Sequence, residues 1–232
     1  FLFTDIEGST RLWEGQASRM KLSLARHDSI LRLAIESNQG YVFKTVGDEL
    51  CAAFHRPADA LKAALQAQQK LQVEFPGEVA LRVRMGIHTG DAETDGGDYR
   101  GYLTLSLVQR LMSAGHGRQV LLSGAAENLL RDHLPSGVSL RDLGEHRLKD
   151  APGPVRIFQL IAPGLISDFP PLRVADLSPN NLPSQLTSFI DRDKEIADIK
   201  AAEDGVNATL DAKAAELEED WLELEMALES SV

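Results

Sequence analysis

Cysteine is almost absent: Cys51 is the single one among 232 residues. One thiol makes no internal disulfide. It stands in the apolar run Leu50-Cys51-Ala52-Ala53-Phe54, which reads as a buried strand, so a reducing, cytoplasmic setting is expected and a reactive thiol is not. Long apolar runs are missing as well. None approaches the roughly 18 residues of a membrane span, so no membrane partner is expected. The chain opens without a methionine and without a basic stretch ahead of an apolar one, which reads as a strand cut partway and no signal peptide. An excess of positive charge is also lacking, the formal net charge being −11. That acidity is local: residues 191–232 hold 14 acidic and 4 basic side chains, whereas residues 1–190 hold 21 and 20. Evenly spread, this charge would argue against nucleic acid; it belongs instead to the tail and leaves the body nearly neutral, and no nucleic-acid partner is expected.

What the chain does have is a regular alternation of strand and helix patterns. Phe1 to Asp5 reads as a strand and Ser9 to Ser37 as a helix starting at Gly8-Ser9-Thr10. Two short apolar runs, Tyr41 to Val46 and Leu50 to Phe54, flank Gly47-Asp48-Glu49, a hairpin signal. Pro57 opens a helix through about Val73, and Ala80 to Ile87 alternates as a strand. The order β, α, β, β, α, β is followed by a Gly/Asp-rich loop at 89–99, a helix near 103–114, a strand at 119–123, a helix at 125–131 and strands at 138–148 and 155–161. This mixture predicts an α+β domain, residues 1–162, with a mostly antiparallel sheet and helices on one face. Five prolines between 163 and 183 mark a linker, taken as 163–190. In 191–232, Leu210, Ala214, Leu217, Trp221, Leu224 and Leu228 recur at four and three, which predicts a C-terminal helix. It forms either a short coiled coil with another helix or an amphipathic helix packed on the body.

Two acidic constellations carry chemistry. In Phe3-Thr4-Asp5-Ile6-Glu7-Gly8-Ser9-Thr10 a carboxylate ends a strand just before a helix start, where backbone N–H groups suit phosphate and the acid suits its accompanying cation. Asp5 read alone could equally cap the helix. In Lys44-Thr45-Val46-Gly47-Asp48 a second carboxylate sits at a hairpin tip. Two carboxylates on separate elements are what two-metal phosphoryl chemistry requires.

Together with Arg84-Met85-Gly86-Ile87-His88-Thr89-Gly90, Asp98-Tyr99-Arg100-Gly101, Arg110 to Gly117 and Leu143-Gly144-Glu145-His146-Arg147-Leu148-Lys149-Asp150, these segments resemble, in order, the class III adenylyl and guanylyl cyclase catalytic domain. The resemblance implies an adenylate cyclase that turns ATP into 3′,5′-cyclic AMP and pyrophosphate with two divalent metal ions, Mg²⁺ or Mn²⁺. Asp5 and Asp48 match the metal-binding aspartates, Ile6 lends a carbonyl, and the amides of Glu7, Gly8, Ser9 and Thr10 meet the triphosphate. Lys44 and Asp98 match the purine-reading positions, and a lysine with an aspartate fits adenine, whose N1 accepts and whose amine donates. Arg110 and Lys149 match the cations that stabilise developing phosphate charge; a helix-surface salt bridge is the plainer reading of Arg110. The family builds its site between two domains, which implies a homodimer in which one subunit gives Asp5 and Asp48 and the other gives Lys44, Asp98, Ser106, Arg110 and Lys149.

The match departs at Ser106, where the family has a ribose-orienting asparagine, and at Tyr102 to Leu105, four residues where three are usual. Thr104 is a candidate substitute, and a slow enzyme is expected. The alternatives are a degenerate domain that binds nucleotide or serves as a dimerisation module, and a guanylyl cyclase. His88, His116 and His146 read as structural. Residues 169–189 resemble the joint between a cyclase domain and the ATPase module of large bacterial regulators, although no Gly-x-x-x-x-Gly-Lys-Ser/Thr loop follows.

Overall fold

The computed structural model describes residues 1–75, 81–149 and 151–174, and Lys213. The chain divides into two compact units, Phe1–Ser178 and Pro179–Val232. The acidic helix expected near the end falls in the second unit, outside the described residues apart from Lys213, a helical and exposed residue.

The first unit runs β1 (Leu2–Ile6), α1 (Ser9–Ser37), β2 (Gly40–Val46), β3 (Glu49–Phe54), α2 (Pro57–Glu74) and β4 (Val83–Ile87), the expected β, α, β, β, α, β order. It continues with β5 (Glu93–Asp95), β6 (Asp98–Arg100), α3 (Tyr102–Ala114), β7 (Val120–Ser123), α4 (Gly124–Leu130), β8 (Ser139–His146) and β9 (Val155–Ile161). Seven strands form one sheet in the order β2-β3-β1-β4-β7-β9-β8. All of its neighbours are antiparallel except β4 and β7.

Strand side chains alternate between faces, so β1 sends Leu2 and Ile6 into the larger core and Phe3 to the other side. α1, α2 and α4 cover the first face, burying Leu31, Ile35, Leu61, Ala126 and Leu130 against Val83, Met85 and Leu122. Helices were expected on one face only, and α3 departs from this. Its Val108 and Met112 meet Phe3 and Cys51 on the opposite face, and its Leu111 meets Leu121. Gly86 permits the crossing, because a Cβ there would lie 2.8 Å from the backbone nitrogen of Met112. The stretch read as a loop at 89–99 contains the β5–β6 hairpin. It is held by aromatic edges: Tyr99 stands 5.0 Å from Phe43 of β2 and 5.3 Å from Phe1.

The Pro-rich stretch after β9 stays on the first unit as far as Val174. Gln159 and Arg141 both donate to the Ser167 carbonyl, at 2.7 and 2.9 Å. Leu172 and Val174 pack on the cluster of Leu111, Ala114 and Leu148. Among the described residues no helix is long and apolar enough to cross a membrane.

Candidate active site

The C-terminal end of β1 places Asp5 on the α3 face, and the chain then turns into α1 through Gly8, whose φ of 72° is the left-handed conformation glycine adopts without strain. Gly8 is the N-cap of α1, with no side-chain capping bond, so the reading of Asp5 as a helix cap does not hold. A helix leaves its first N–H groups without intrahelical acceptors, and here those belong to Ser9 and its neighbours. On the adjoining hairpin Gly47, at φ 62°, turns β2 into β3 and carries Asp48 toward β1. The Ile6 N–H donates to Asp48 Oδ2 at 3.0 Å. Asp48 and Asp5, from two separate elements, are thereby brought into contact.

The antiparallel register of β1 and β4 sets Asp5 opposite Arg84. Arg84 donates to Asp5 Oδ2 through Nε at 2.7 Å and approaches it through Nη2 at 2.6 Å, while Nη1 donates to the Ser113 carbonyl at 3.3 Å. Burial raises the Asp5 carboxyl above its ordinary value, Arg84 pulls it back, and the neighbouring Asp48 raises it again. Two carboxylates and a backbone carbonyl at Ile6 form a hard oxygen donor set, of the kind that suits Mg²⁺ or Mn²⁺ with water or other oxygens as further ligands. Among the described residues no group of three or more His, Cys, Asp or Glu side chains gathers to hold a metal, at this acid pair or elsewhere.

Glu7 points away from this pair toward a wide cleft of about 1120 Å³ that Arg11, Arg82, Arg118 and Arg173 also line. Burial pushes the Glu7 carboxyl up, but the Arg173 guanidinium, the Gly117 amide and Arg82 together outweigh it and hold the group below its ordinary value.

A second cavity, about 310 Å³, is lined by Lys44, Ser106, Phe43, Tyr99, Glu49 and Gln109 among others. Lys44 lies beside the bulge in β2 between Val42 and Lys44. Tyr99 against Phe43 puts β6, and with it the backbone of Asp98, on the element beside Lys44. Ser106 lines this cavity, yet its hydroxyl donates to the Leu103 carbonyl at 3.2 Å, one turn back in α3. Thr104 is buried and donates to the Asp91 carbonyl at 2.7 Å, away from Lys44, so it is no substitute for Ser106. Arg110 follows Ser106 by one helical turn, and among the described residues it has no salt bridge. Lys149 is exposed and follows Leu148, which is buried against Leu111 and Ala114 of α3.

The three histidines are tied to the frame. His88 Nδ1 meets Ser123 Oγ at 2.7 Å, His116 Nε2 meets the Pro171 carbonyl at 2.9 Å, and His146 Nε2 meets the Leu143 carbonyl at 2.9 Å. Sequence reasoning overlooked Arg84 and Arg82. Their signal was present in β4 and the two residues before it, where the charged residues alternate with the apolar Leu81, Val83, Met85 and Ile87, and Arg84 so falls on the face of Asp5.

Fold and site define the class: an α+β domain with an acid pair and a glycine turn at one strand end. Residues 1–162 match the family model described as the adenylate and guanylate cyclase catalytic domain, and the chain belongs to that family. An uncharacterized protein of Mycobacterium tuberculosis is 36% identical over 199 residues, covering 84% of this chain and 67% of that protein. A receptor-type adenylate cyclase of Trypanosoma brucei brucei is 32% identical over 208 residues, covering 69% of this chain but only 16% of its own length. Among solved structures, an adenylate cyclase from Trypanosoma brucei in its monomeric state superposes with a TM-score of 0.63 at 28% identity, covering 74% of this chain and 91% of that one.

Proposed function

We propose that the chain is an adenylyl cyclase that converts ATP to 3′,5′-cyclic AMP and pyrophosphate, with its site completed across a homodimer. The observation that carries this reading is the acid pair: Asp48, held by the Ile6 amide, meets Asp5 directly before the Gly8 turn.

Asp5, Asp48 and the Ile6 carbonyl are the donors that would hold two divalent cations. Such ions, when bound, acidify the ribose 3′-hydroxyl and screen the triphosphate. The amides of Glu7, Gly8, Ser9 and Thr10 receive the triphosphate at the positive end of α1. Arg84, already on the acid pair, is a fixed cation within reach of the same phosphates. Lys44 donates to adenine N1 and Asp98 accepts from the adenine amine, which favours ATP over GTP. The 3′-oxygen attacks the α-phosphorus in line with the departing pyrophosphate, whose growing charge Arg110 and Lys149 stabilise. No protein nucleophile takes part.

The homodimer is supported by what one chain leaves open. Tyr41, Val46, Tyr102 and Leu103, on the elements that frame the Lys44 cavity, are large apolar side chains between 55% and 79% exposed. A second reading, a degenerate domain that binds nucleotide without turning it over, is favoured by one observation: the Ser106 hydroxyl is turned onto its own helix.

Incubation of the purified chain with ATP or GTP and Mn²⁺, beside an Asp48→Ala control, tests both. Cyclic AMP from ATP, absent in the control, is the expected result. No cyclic nucleotide above the control overturns the enzyme and leaves the binding module.

A further inference from the structure

The segment that leaves the last strand is fastened across the α3 face until it reaches the phosphate turn. After Gly164, at φ 80°, the Ser167 carbonyl takes hydrogen bonds from Gln159 and Arg141. The Phe169 ring lies flat on His116, at a centroid distance of 6.4 Å, and His116 also meets the Pro171 carbonyl. The Arg173 N–H donates to the Ala114 carbonyl at 2.8 Å, with Leu172 and Val174 packed beside it. The Arg173 guanidinium then closes on Glu7 Oε1.

Glu7 is a residue with an electrostatic problem. Its side chain is only 15% exposed, and it precedes the turn whose amides receive a highly anionic triphosphate. Left unmatched, this carboxylate would repel that ligand at short range. Three groups restrain it: Arg173, the Gly117 amide and Arg82, the last at 3.6 Å. The close seat of the carboxylate requires Gly117, since a Cβ there would stand 2.8 Å from Glu7 Oε2. Arg173 is itself 46% exposed, so water screens part of its pairing with the largely covered Glu7. A contact that cancels a charge beside the phosphate turn acts on ligand affinity whatever it adds to stability.

We infer that Arg173 is a positioning residue for nucleotide binding: it neutralises Glu7 and holds it off the phosphate turn, so that the chain downstream of the sheet controls how well a nucleoside triphosphate is held. The inference rests on the cyclase reading. It makes the 163–174 segment a coupling between the nucleotide site and whatever follows it. Displacing Arg173 would weaken triphosphate binding without touching the acid pair.

The test is a double-mutant cycle on the full 232-residue chain, read as calorimetric affinity for 3′-deoxy-ATP with Mn²⁺, a nucleotide that binds but cannot cyclise. Arg173→Gln should weaken binding about tenfold, since an uncancelled charge at this range is worth a factor of that order. Arg173→Lys should restore most of it. In a Glu7→Gln background, Arg173→Gln should have no further effect. An equal loss in both backgrounds shows that Arg173 does not act through Glu7 and overturns the proposal. So does a lower melting temperature with unchanged affinity, the mark of a merely structural clasp. If the unmodified chain binds no nucleotide at all, the cyclase reading itself fails and this inference fails with it.

Discussion

Asp48 is held by a backbone donor, the Ile6 N–H, and Asp5 is matched by Arg84 across the strand pair. Ser106 is the opposite case, a side chain that lines the Lys44 cavity with its hydroxyl spent on Leu103. Two outcomes follow. Ser106→Ala should leave kcat within about twofold, because the hydroxyl is already engaged, whereas Ser106→Asn, which adds both a donor and an acceptor, should raise kcat by about tenfold. Steady-state assays of both variants check this, and a collapse of activity in the alanine variant would contradict it. His88 sets a different expectation. Burial pushes its imidazole down from 6.5 to about 4. The unfolded chain binds a proton there more readily than the folded one, so stability is full above pH 6.5 and falls as pH drops from 6.5 toward 4. Urea unfolding at pH 7 and pH 5 should show the loss, and His88→Gln should flatten it. At this scale Asp5 and Asp48 were legible from the sequence because each lies inside a short motif with turn chemistry of its own. Arg84 and Arg173 were not, because their partners lie 79 and 166 residues away and only the folded sheet pairs them.

α3 is the element that makes the α3 face a site, and its position depends on Gly86 in β4. The backbone of Met112 passes where a Cβ would stand, at 2.8 Å. Gly86→Ala therefore has to push α3 outward, carrying Ser106 and Arg110 with it, at a cost of about 1–3 kcal/mol. Chemical denaturation should report the loss of stability, and turnover should fall further than stability because the helix also carries the cavity wall. A variant with native stability and native turnover would show that α3 is free to shift. The helices and long strands were readable from periodicity: Leu81, Val83, Met85 and Ile87 alternate, and Pro57 opens α2 at its first turn. The face taken by α3 was not, since Val108, Leu111 and Met112 give an apolar stripe that says nothing about which side of the sheet it covers. The β5–β6 hairpin was missed for another reason. Strands of three residues around Gly96 and Gly97 have too little periodicity to register, and the pair is held by Tyr99 packing on Phe43, a contact that local pattern does not encode.

In the whole molecule the acid pair lies at the end of β1, while Ser106, Arg110 and the Lys44 cavity gather around α3 and β2. If each site takes its acids from one subunit and its α3 cations from the other, a chain damaged in the first half complements a chain damaged in the second. Asp48→Ala and Arg110→Ala chains, each inactive alone, should regain activity on mixing after dissociation. Half of the dimers formed from equal amounts are mixed, and each mixed dimer has one site with both damages and one with none. The expected recovery is about a quarter of the unmodified activity. Sedimentation of the mixture should show a dimer-sized species whose amount tracks the recovered activity as the protein is diluted. The apolar side chains left exposed on β2 and at the start of α3 supply a second handle. Tyr102→Glu, which removes an exposed aromatic far from the acid pair, should weaken the dimer and lower recovery in proportion. If instead all the groups act within one chain, mixing restores nothing at any ratio, and activity per chain stays constant on dilution below the dimer's dissociation constant.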